Sequence, residues 1–357
     1  MGIGAASMDT TPASGGELLA RLGDVCGERG LGGLAARLRA LGEGVAGDMS
    51  ATEAALAALP RGAGLVARSA THLLDLGGKR LRPLCVALAA RVGRGFDAAA
   101  RELAVAVELT HTATLLHDDV VDLGVMRRNV ATARVVYGNA ASIFAGDWLL
   151  VEALRRVRRS EVPGALDRLL AVIEEMIFAE SLQLESRGRL AAGRAEWLAV
   201  VEGKTAALFR WAMWAGGRAG GLGERECAAL EAYGRHLGVA FQVIDDVLDF
   251  AGDPAVTGKA LLADLGEGKL TYPLIVALER QPSLAKVLTE VLAAGEADAA
   301  AGAEVVAVLR ATGAIEAART LAEDSAREAV GCLGVLPAGR ARGDLETIAV
   351  ATVNRDR

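Results

Sequence analysis

Two acidic pentapeptides of one pattern, Asp118-Asp-Val-Val-Asp122 and Asp245-Asp-Val-Leu-Asp249, stand in two of the most apolar stretches of this 357-residue chain. A carboxylate held among apolar neighbours is costly unless a cation answers it. Carboxylates in two matched sets therefore point to a built site for hard divalent ions. Magnesium takes oxygen ligands, keeps part of its water, and shares the rest of its shell with substrate phosphates. A diphosphate ester is the substrate class that this chemistry calls for. The plainer alternative, a charged helix face meeting solvent, is weakened by the second copy and by the apolar run ahead of each.

On a helix, i and i+4 share a face. Asp118 and Asp122 project together, with His111 on nearly the same stripe two turns earlier. Gln242, Asp245, Asp246 and Asp249 form a second stripe, and Tyr233, Leu237, Phe241, Ile244 and Leu248 supply that helix's apolar face. An anionic substrate also needs donors. Gly77-Gly-Lys-Arg-Leu-Arg-Pro83 sets Lys79, Arg80 and Arg82 between a Gly pair and a Pro. A loop entering a helix N-terminus there would add free amides and the helix dipole to the side-chain charge. Arg127-Arg128 follows the first acidic motif, and Lys204-Thr205, Lys259 and Lys269 add further donors. Singly, each is an ordinary solvated side chain; their recurrence beside the acidic motifs and beside Gly gives them weight.

The elements that must position these groups read as helices. Hydrophobic residues make up 52 % of the chain and aromatics only 4 %, a balance suited to closely packed helices rather than sheets. No proline falls between Pro83 and Pro163, nor between Pro163 and Pro254, so each tract can hold several helices, and each carries one acidic motif. Gly77-Gly78, Gly216-Gly217 and Gly220-Gly221 read as loops. Residues 1–16 are expected to be a flexible tail and 17–357 one all-α domain. The net charge of -6 implies no wholesale attraction to nucleic acid. Cys26, Cys85, Cys227 and Cys332 are scattered without a C-x-x-C pair, which disfavours zinc or a disulfide framework. No apolar run reaches membrane-spanning length and no signal-peptide pattern opens the chain, so a soluble, cytoplasmic protein without a membrane anchor is expected.

Together these residues resemble the trans-isoprenyl diphosphate synthases over roughly 66–275, with bacterial long-chain octaprenyl synthases the most similar group. Gly77-Gly-Lys-Arg-Leu-Arg-Pro83 is similar to the family's homoallylic diphosphate loop. His111-Thr-Ala-Thr-Leu-Leu-His-Asp-Asp119 with Arg127-Arg128 resembles its first aspartate-rich region. Gly138-Asn-Ala-Ala-Ser, Gly146-Asp147, Glu180, Gln183 and Lys204-Thr-Ala206 resemble the intermediate blocks. Phe241-Gln-Val-Ile-Asp-Asp246 and the following Gly258-Lys259, Asp264-Leu265, Lys269, Thr271 and Pro273 resemble the second region and its loop, and Arg355-Asp-Arg357 is similar to the family's long-chain endings.

The resemblance implies an isoprenoid-synthase-type bundle of long helices around a central cavity. It implies about three magnesium ions on the allylic diphosphate, held by Asp118, Asp119, Asp122 and Asp245, with Asp246 and Asp249 in the outer shell. Arg127, Lys204 and Lys259 would grip that diphosphate, assisted by Lys269. Lys79, Arg82, His111 and Arg128 would hold isopentenyl diphosphate, and Thr205 and Gln242 would turn their oxygens to an allylic cation. Ionisation, attack by the isopentenyl double bond and proton loss to the released diphosphate would follow, repeated head to tail. A homodimer, and transient membrane contact on product release, are further implications. Asn129 stands where the family commonly has Gly, and Trp211 and Trp214 are bulky where small residues are frequent, which bears on product length rather than on activity.

The helix leading to Asp118 should form one wall of the pocket. From Asp97 to His117 it has no Phe, Tyr or Trp, leaving on the order of 30 Å without an aromatic floor. Ala113 is small where a short-chain enzyme would carry bulk, so a long all-trans product is expected, octaprenyl favoured. Otherwise Ala113 is a plain packing contact and Phe144, Trp148 or Trp211 supplies the floor. A class I terpene cyclase or head-to-head enzyme would lack the Gly-Gly-Lys-Arg-Leu-Arg-Pro loop. A non-catalytic subunit of a two-component synthase would have lost aspartates or phosphate donors, and none of the expected set is missing.

Overall fold

The structure is a computed structural model and describes residues 15–251, 262–295 and 298–355. Lys259 and residues 1–14 lie outside the described residues, whereas Gly15 and Gly16, expected in the tail, begin the first helix. The helices run α1 Gly15–Glu28, α2 Gly32–Ala57, α3 Leu65–Asp75, α4 Leu81–Val92, α5 Ala98–Val121, α6 Ala133–Tyr137, α7 Asn139–Ser160, α8 Ala165–Ser186 and α9 Arg194–Val201. A π-helical turn, Glu202–Ala206, leads into α10 Ala207–Ala219 and then α11 Glu224–Ala251. After them come α12 Ala263–Gly266, α13 Tyr272–Arg280, α14 Leu284–Ala294, α15 Ala299–Ala311, α16 Ala314–Cys332 and α17 Arg340–Val353.

Local chemistry sets several of these boundaries. Asp97 caps α5, accepting from the Ala100 N–H at 2.9 Å. Asp298 likewise caps α15 through Ala300 and Ala301. Pro273 sits in the first turn of α13, where its missing N–H has no helical partner to lose.

The long helix α5 lies at the centre, packed on α4, α7 and α10. One apolar cluster joins α2, α4, α5, α7 and α10; a second joins α9, α13, α14, α15 and α16. The α11 helix belongs to both: Tyr233 and Leu237 enter the first, and Val243, Val247 and Phe250 the second.

Two sequence expectations are corrected. Gly216 and Gly217 are not a loop but lie inside α10, where a Cβ at Gly216 would come within 2.4 Å of the Val86 carbonyl of α4. Their role is close helix approach. Among the described residues the helical chain also contains one small antiparallel hairpin, Met126–Arg127 with Val130–Ala131. Its turn residues Arg128 and Asn129 both take left-handed conformations, φ 53° and 63°, the pattern that suits a tight hairpin. Asn tolerates that region better than most side chains, which accounts for Asn129 in a Gly-like position. Among the described residues no helix is long and apolar enough to cross a membrane.

Candidate active site

A cavity of about 890 Å³ opens between α4, α5, α7, α8, the π-helical turn and α11. Asp118 near the end of α5 and Asp245 in α11 both line it. Burial lifts the Asp118 carboxyl to about 6; the Lys204 ammonium opposes this, while Glu180 and Asp122 add to it. Lys204 Nζ stands 3.9 Å from Asp118, donates to Gln183 Oε1 at 2.8 Å and pairs with Glu180.

The other four motif aspartates are placed differently. Asp119, expected beside Asp118 as a metal ligand, is turned off the cavity wall; its side chain is 3 % exposed and takes Arg127 Nη2 at 2.8 Å. Neighbouring helix residues diverge by nearly a third of a turn, so Asp119 does not share the face of Asp118; its Oδ2 is buried with no hydrogen-bond partner among the described residues. Asp122 pairs with Arg187 and accepts from Lys269 at 2.8 Å. Burial would raise its carboxyl, but Lys269 and Arg187 outweigh that and hold it below the usual carboxylate range. Asp246 and Asp249 are buried in α11. Asp246 accepts from Trp197 Nε1 at 2.9 Å, Gln242 Nε2 at 2.9 Å and the Tyr272 N–H at 3.2 Å. Burial still pushes it up to about 7 against those bonds.

Of the predicted cations, Lys79, Arg82, His111, Arg127, Arg128 and Lys204 line the one cavity. Burial, then the Arg82, Arg128, Arg127 and Arg80 charges, drive the His111 pKa well down, so this ring is a neutral donor amid guanidinium groups. The Arg82 guanidinium stacks 4.7 Å from the Phe209 ring centre and Lys79 Nζ lies 5.6 Å from that of Phe241. Arg128 passes over Gly78, where a Cβ would meet its Nη2 at 3.0 Å. Arg80, read as a phosphate donor, also borders the cavity, but its guanidinium is committed to Glu108 at 2.6 Å and Glu53 at 2.8 Å. Its left-handed φ of 50° at the start of α4 aims it there. Lys269 is drawn down by burial but held above its usual value by Glu267 and Asp122.

The π-helical turn carries Lys204 and Thr205 into the cavity, a widened helical turn of the kind that gathers at functional sites. Thr205 Oγ1 donates to Gln242 Oε1 at 2.9 Å. Away from these polar groups the wall becomes apolar. Ile173, Met176, Ile177 and Leu184 form one stripe of α8, facing Ala113 and Thr114 of α5 and Leu150 of α7. Ala113 is 2 % exposed, belongs to the apolar core and also borders the cavity. Phe144, Trp148 and Trp211 are not among the lining residues; Phe144 is 58 % exposed on the outer surface, and Trp211 is buried with its indole on the Ala165 carbonyl.

Arg187 and Trp197 were missed by sequence reasoning, and Glu180 and Arg355, quoted there only for the resemblance, were given no role. Arg187 pairs with Asp122, Arg355 with Asp245, Glu180 with Lys204, and Trp197 with Asp246. Glu180 also stands four helical positions from the cavity-lining Met176 and Leu184; Arg187 and Trp197 had no signal, their partners being distant in the chain.

An all-helical bundle whose cavity has cations and aspartates at one end and an apolar wall at the other defines an enzyme of prenyl transfer. The sequence profile of polyprenyl synthetases matches residues 64–309. Octaprenyl diphosphate synthase of Escherichia coli is 35 % identical over 90 % of this chain and 99 % of that protein. A short chain isoprenyl diphosphate synthase of Methanothermobacter thermautotrophicus is also 35 % identical, over 81 % of this chain and 90 % of its own length. The polyprenyl synthase of Caulobacter crescentus, solved with calcium and isoprenyl diphosphate, superposes with a TM-score of 0.81 at 32 % identity, covering 97 % of this chain and 100 % of that one. The chain belongs to the polyprenyl synthetase family, and it is a prenyltransferase of trans-prenyl chain elongation.

Proposed function

We propose that this prenyltransferase elongates an allylic diphosphate with isopentenyl diphosphate, depends on magnesium, and makes a long all-trans product, octaprenyl favoured. The observation that carries the reading is that Asp118 and Asp245, far apart in sequence, line one cavity whose far wall is apolar.

The residues present fit a hard divalent ion. Asp118 is lifted to about 6 by burial, the condition of a carboxylate that a further cation would relieve. Among the described residues no group of three or more His, Cys, Asp or Glu side chains closes a metal site alone. An incomplete protein shell suits magnesium that shares diphosphate oxygens. Asp118, Asp122 and Asp245 would hold about three ions, with Asp246 and Asp249 behind them. Bound magnesium would supply charge neutralisation at the leaving diphosphate.

The chain's own groups do the rest. Arg127, braced by Asp119, and Lys204, assisted by Lys269, grip the allylic diphosphate. Lys79, Arg82, His111 and Arg128 hold isopentenyl diphosphate, with neutral His111 donating a hydrogen bond. Thr205 and Gln242 present oxygen to the allylic cation, and the apolar walls keep water from it. The released diphosphate takes the proton.

Identity alone does not separate long from short products, since relatives of both kinds match equally. The absence of an aromatic side chain from the stretch of wall around Ala113 supports the long one. A homodimer is supported by exposed Ile143 and Phe144 on α7 and Leu170 and Phe178 on α8. The test is incubation of purified protein with labelled isopentenyl diphosphate, a series of allylic primers and magnesium, with products sized by chromatography. Products of six or more isoprene units are expected; their absence with every primer would end the proposal.

A further inference from the structure

We infer that Trp197 is a positioning residue for prenyl transfer: through Asp246 and Gln242 it turns the lone pairs of Thr205, and not its proton, toward the cavity. The inference rests on the prenyl-transfer reading of that cavity.

The sense of the chain of hydrogen bonds is set from its donor end. An indole N–H and a backbone N–H can only donate. Trp197 Nε1 and the Tyr272 N–H both reach Asp246 Oδ2, at 2.9 Å and 3.2 Å. Asp246 Oδ1 then receives Gln242 Nε2 at 2.9 Å. With its NH₂ committed, the Gln242 amide turns Oε1 to Thr205, whose single hydroxyl proton goes to it at 2.9 Å. What Thr205 has left for the cavity is lone pairs. Gln242 and Thr205 both line that cavity, so the outcome is an electron-rich wall where positive charge develops.

Burial makes the arrangement dependent on the indole. Asp246 is 2 % exposed and Trp197 8 %, so the carboxylate relies on the protein donors around it. Trp197 is itself fixed, its ring centre 4.9 Å from that of Tyr272. It walls a second, smaller hollow behind the Thr205–Gln242 row. Without the indole N–H the carboxylate can turn and the amide can invert. Its NH₂ would then face Thr205, and the Thr205 proton would face the cation.

The test uses two unreactive probes with magnesium present: a prenyl ammonium ion with pyrophosphate, which mimics the cation, and an allylic thiolodiphosphate, which reports the diphosphate grip alone. Calorimetry on Trp197→Phe, which keeps a ring and removes the donor, should show about tenfold weaker binding of the ammonium probe, the loss of one buried hydrogen bond. Binding of the thiolodiphosphate should be unchanged. In a Thr205→Val background the Trp197→Phe change should have no further effect. Asp246→Asn, an isosteric variant that can donate to Gln242 Oε1 and so invert the amide, should weaken the ammonium probe by a larger factor than the thiolodiphosphate, whose grip it also touches from behind the magnesium ligands, even if Trp197→Phe folds poorly. Equal loss for both probes, no loss for either, or additive effects with Thr205→Val would overturn the inference. If wild-type protein binds neither probe, the prenyl-transfer reading fails first, a result distinct from these.

Discussion

Arg355 lies against Asp245: its Nη1 is 2.7 Å from Oδ1, and its guanidinium carbon sits 4.0 Å from the Phe241 ring centre. Arg355 is 4 % exposed while the Asp245 side chain is 40 % exposed, so the carboxylate has one side toward the cavity and one toward the arginine. An ion entering from the cavity competes with that pair. A pair so exposed on one side contributes about 1 kcal/mol. Replacing Arg355 by Met, which keeps contact with Phe241, should lower the magnesium concentration for half-maximal rate about fivefold. A magnesium titration of the initial rate checks this, and an unchanged or raised requirement would refute it.

Asp118 and Asp119 are neighbours with opposite surroundings, one on the cavity and one under Arg127. Asp118→Asn and Asp245→Asn should each lower kcat on the order of a hundredfold or more, through lost charge stabilisation. Asp119→Asn should instead raise KM for the allylic diphosphate more than it lowers kcat, because Arg127 loses its brace. Steady-state kinetics with a fixed primer separate the two patterns.

Ala113 faces Met176 and Leu150 across the apolar part of the cavity. Phe at 113 should shorten the product by several isoprene units while leaving the first condensation intact. Product sizing beside a thermal melt decides the matter; an unchanged product from a folded variant would remove Ala113 from the product path.

Arg80 and Glu108 are an almost fully buried pair, 3 % and 4 % exposed, with Glu53 as a second partner. Arg80→Met leaves Glu108 uncompensated and should destabilise the fold by about 3–5 kcal/mol. Arg80→Met with Glu108→Leu should recover much of it. Urea unfolding midpoints measure both, and a large rate loss without a stability loss would return Arg80 to the phosphate donors.

Phe144 and Phe178 are 58 % and 67 % exposed on α7 and α8. If that face joins two copies, Phe144→Glu with Phe178→Glu should move the sedimenting species from a dimer to a single chain. Wild-type protein sedimenting as a monomer would instead leave the face without this role.

Much of the molecule was legible along the chain because its signals are local. The proline-free tracts predicted several helices between Pro83 and Pro163 and between Pro163 and Pro254, where α5 and α7, and α8, α10 and α11, now stand. Spacing placed Asp118 near the end of one helix and Asp245 on another, and the Gly77-Gly78 turn before α4 followed from residue type. Gly216-Gly217 was misread because the same residue serves a loop or a tight helix crossing, and only the partner helix distinguishes them.

What the amino-acid order determined alone is the chemistry available: two acidic motifs, a set of cations, and helices with an apolar stretch between. The tertiary structure decided which of those groups meet. It committed Asp119 to Arg127 and Arg80 to Glu108, widened the helix at Lys204, and set Arg355 on Asp245 and Trp197 on Asp246. The physical reason is range: helix spacing repeats within a few residues, whereas the side of a carboxylate that finds a partner depends on helices packed against it from far along the chain.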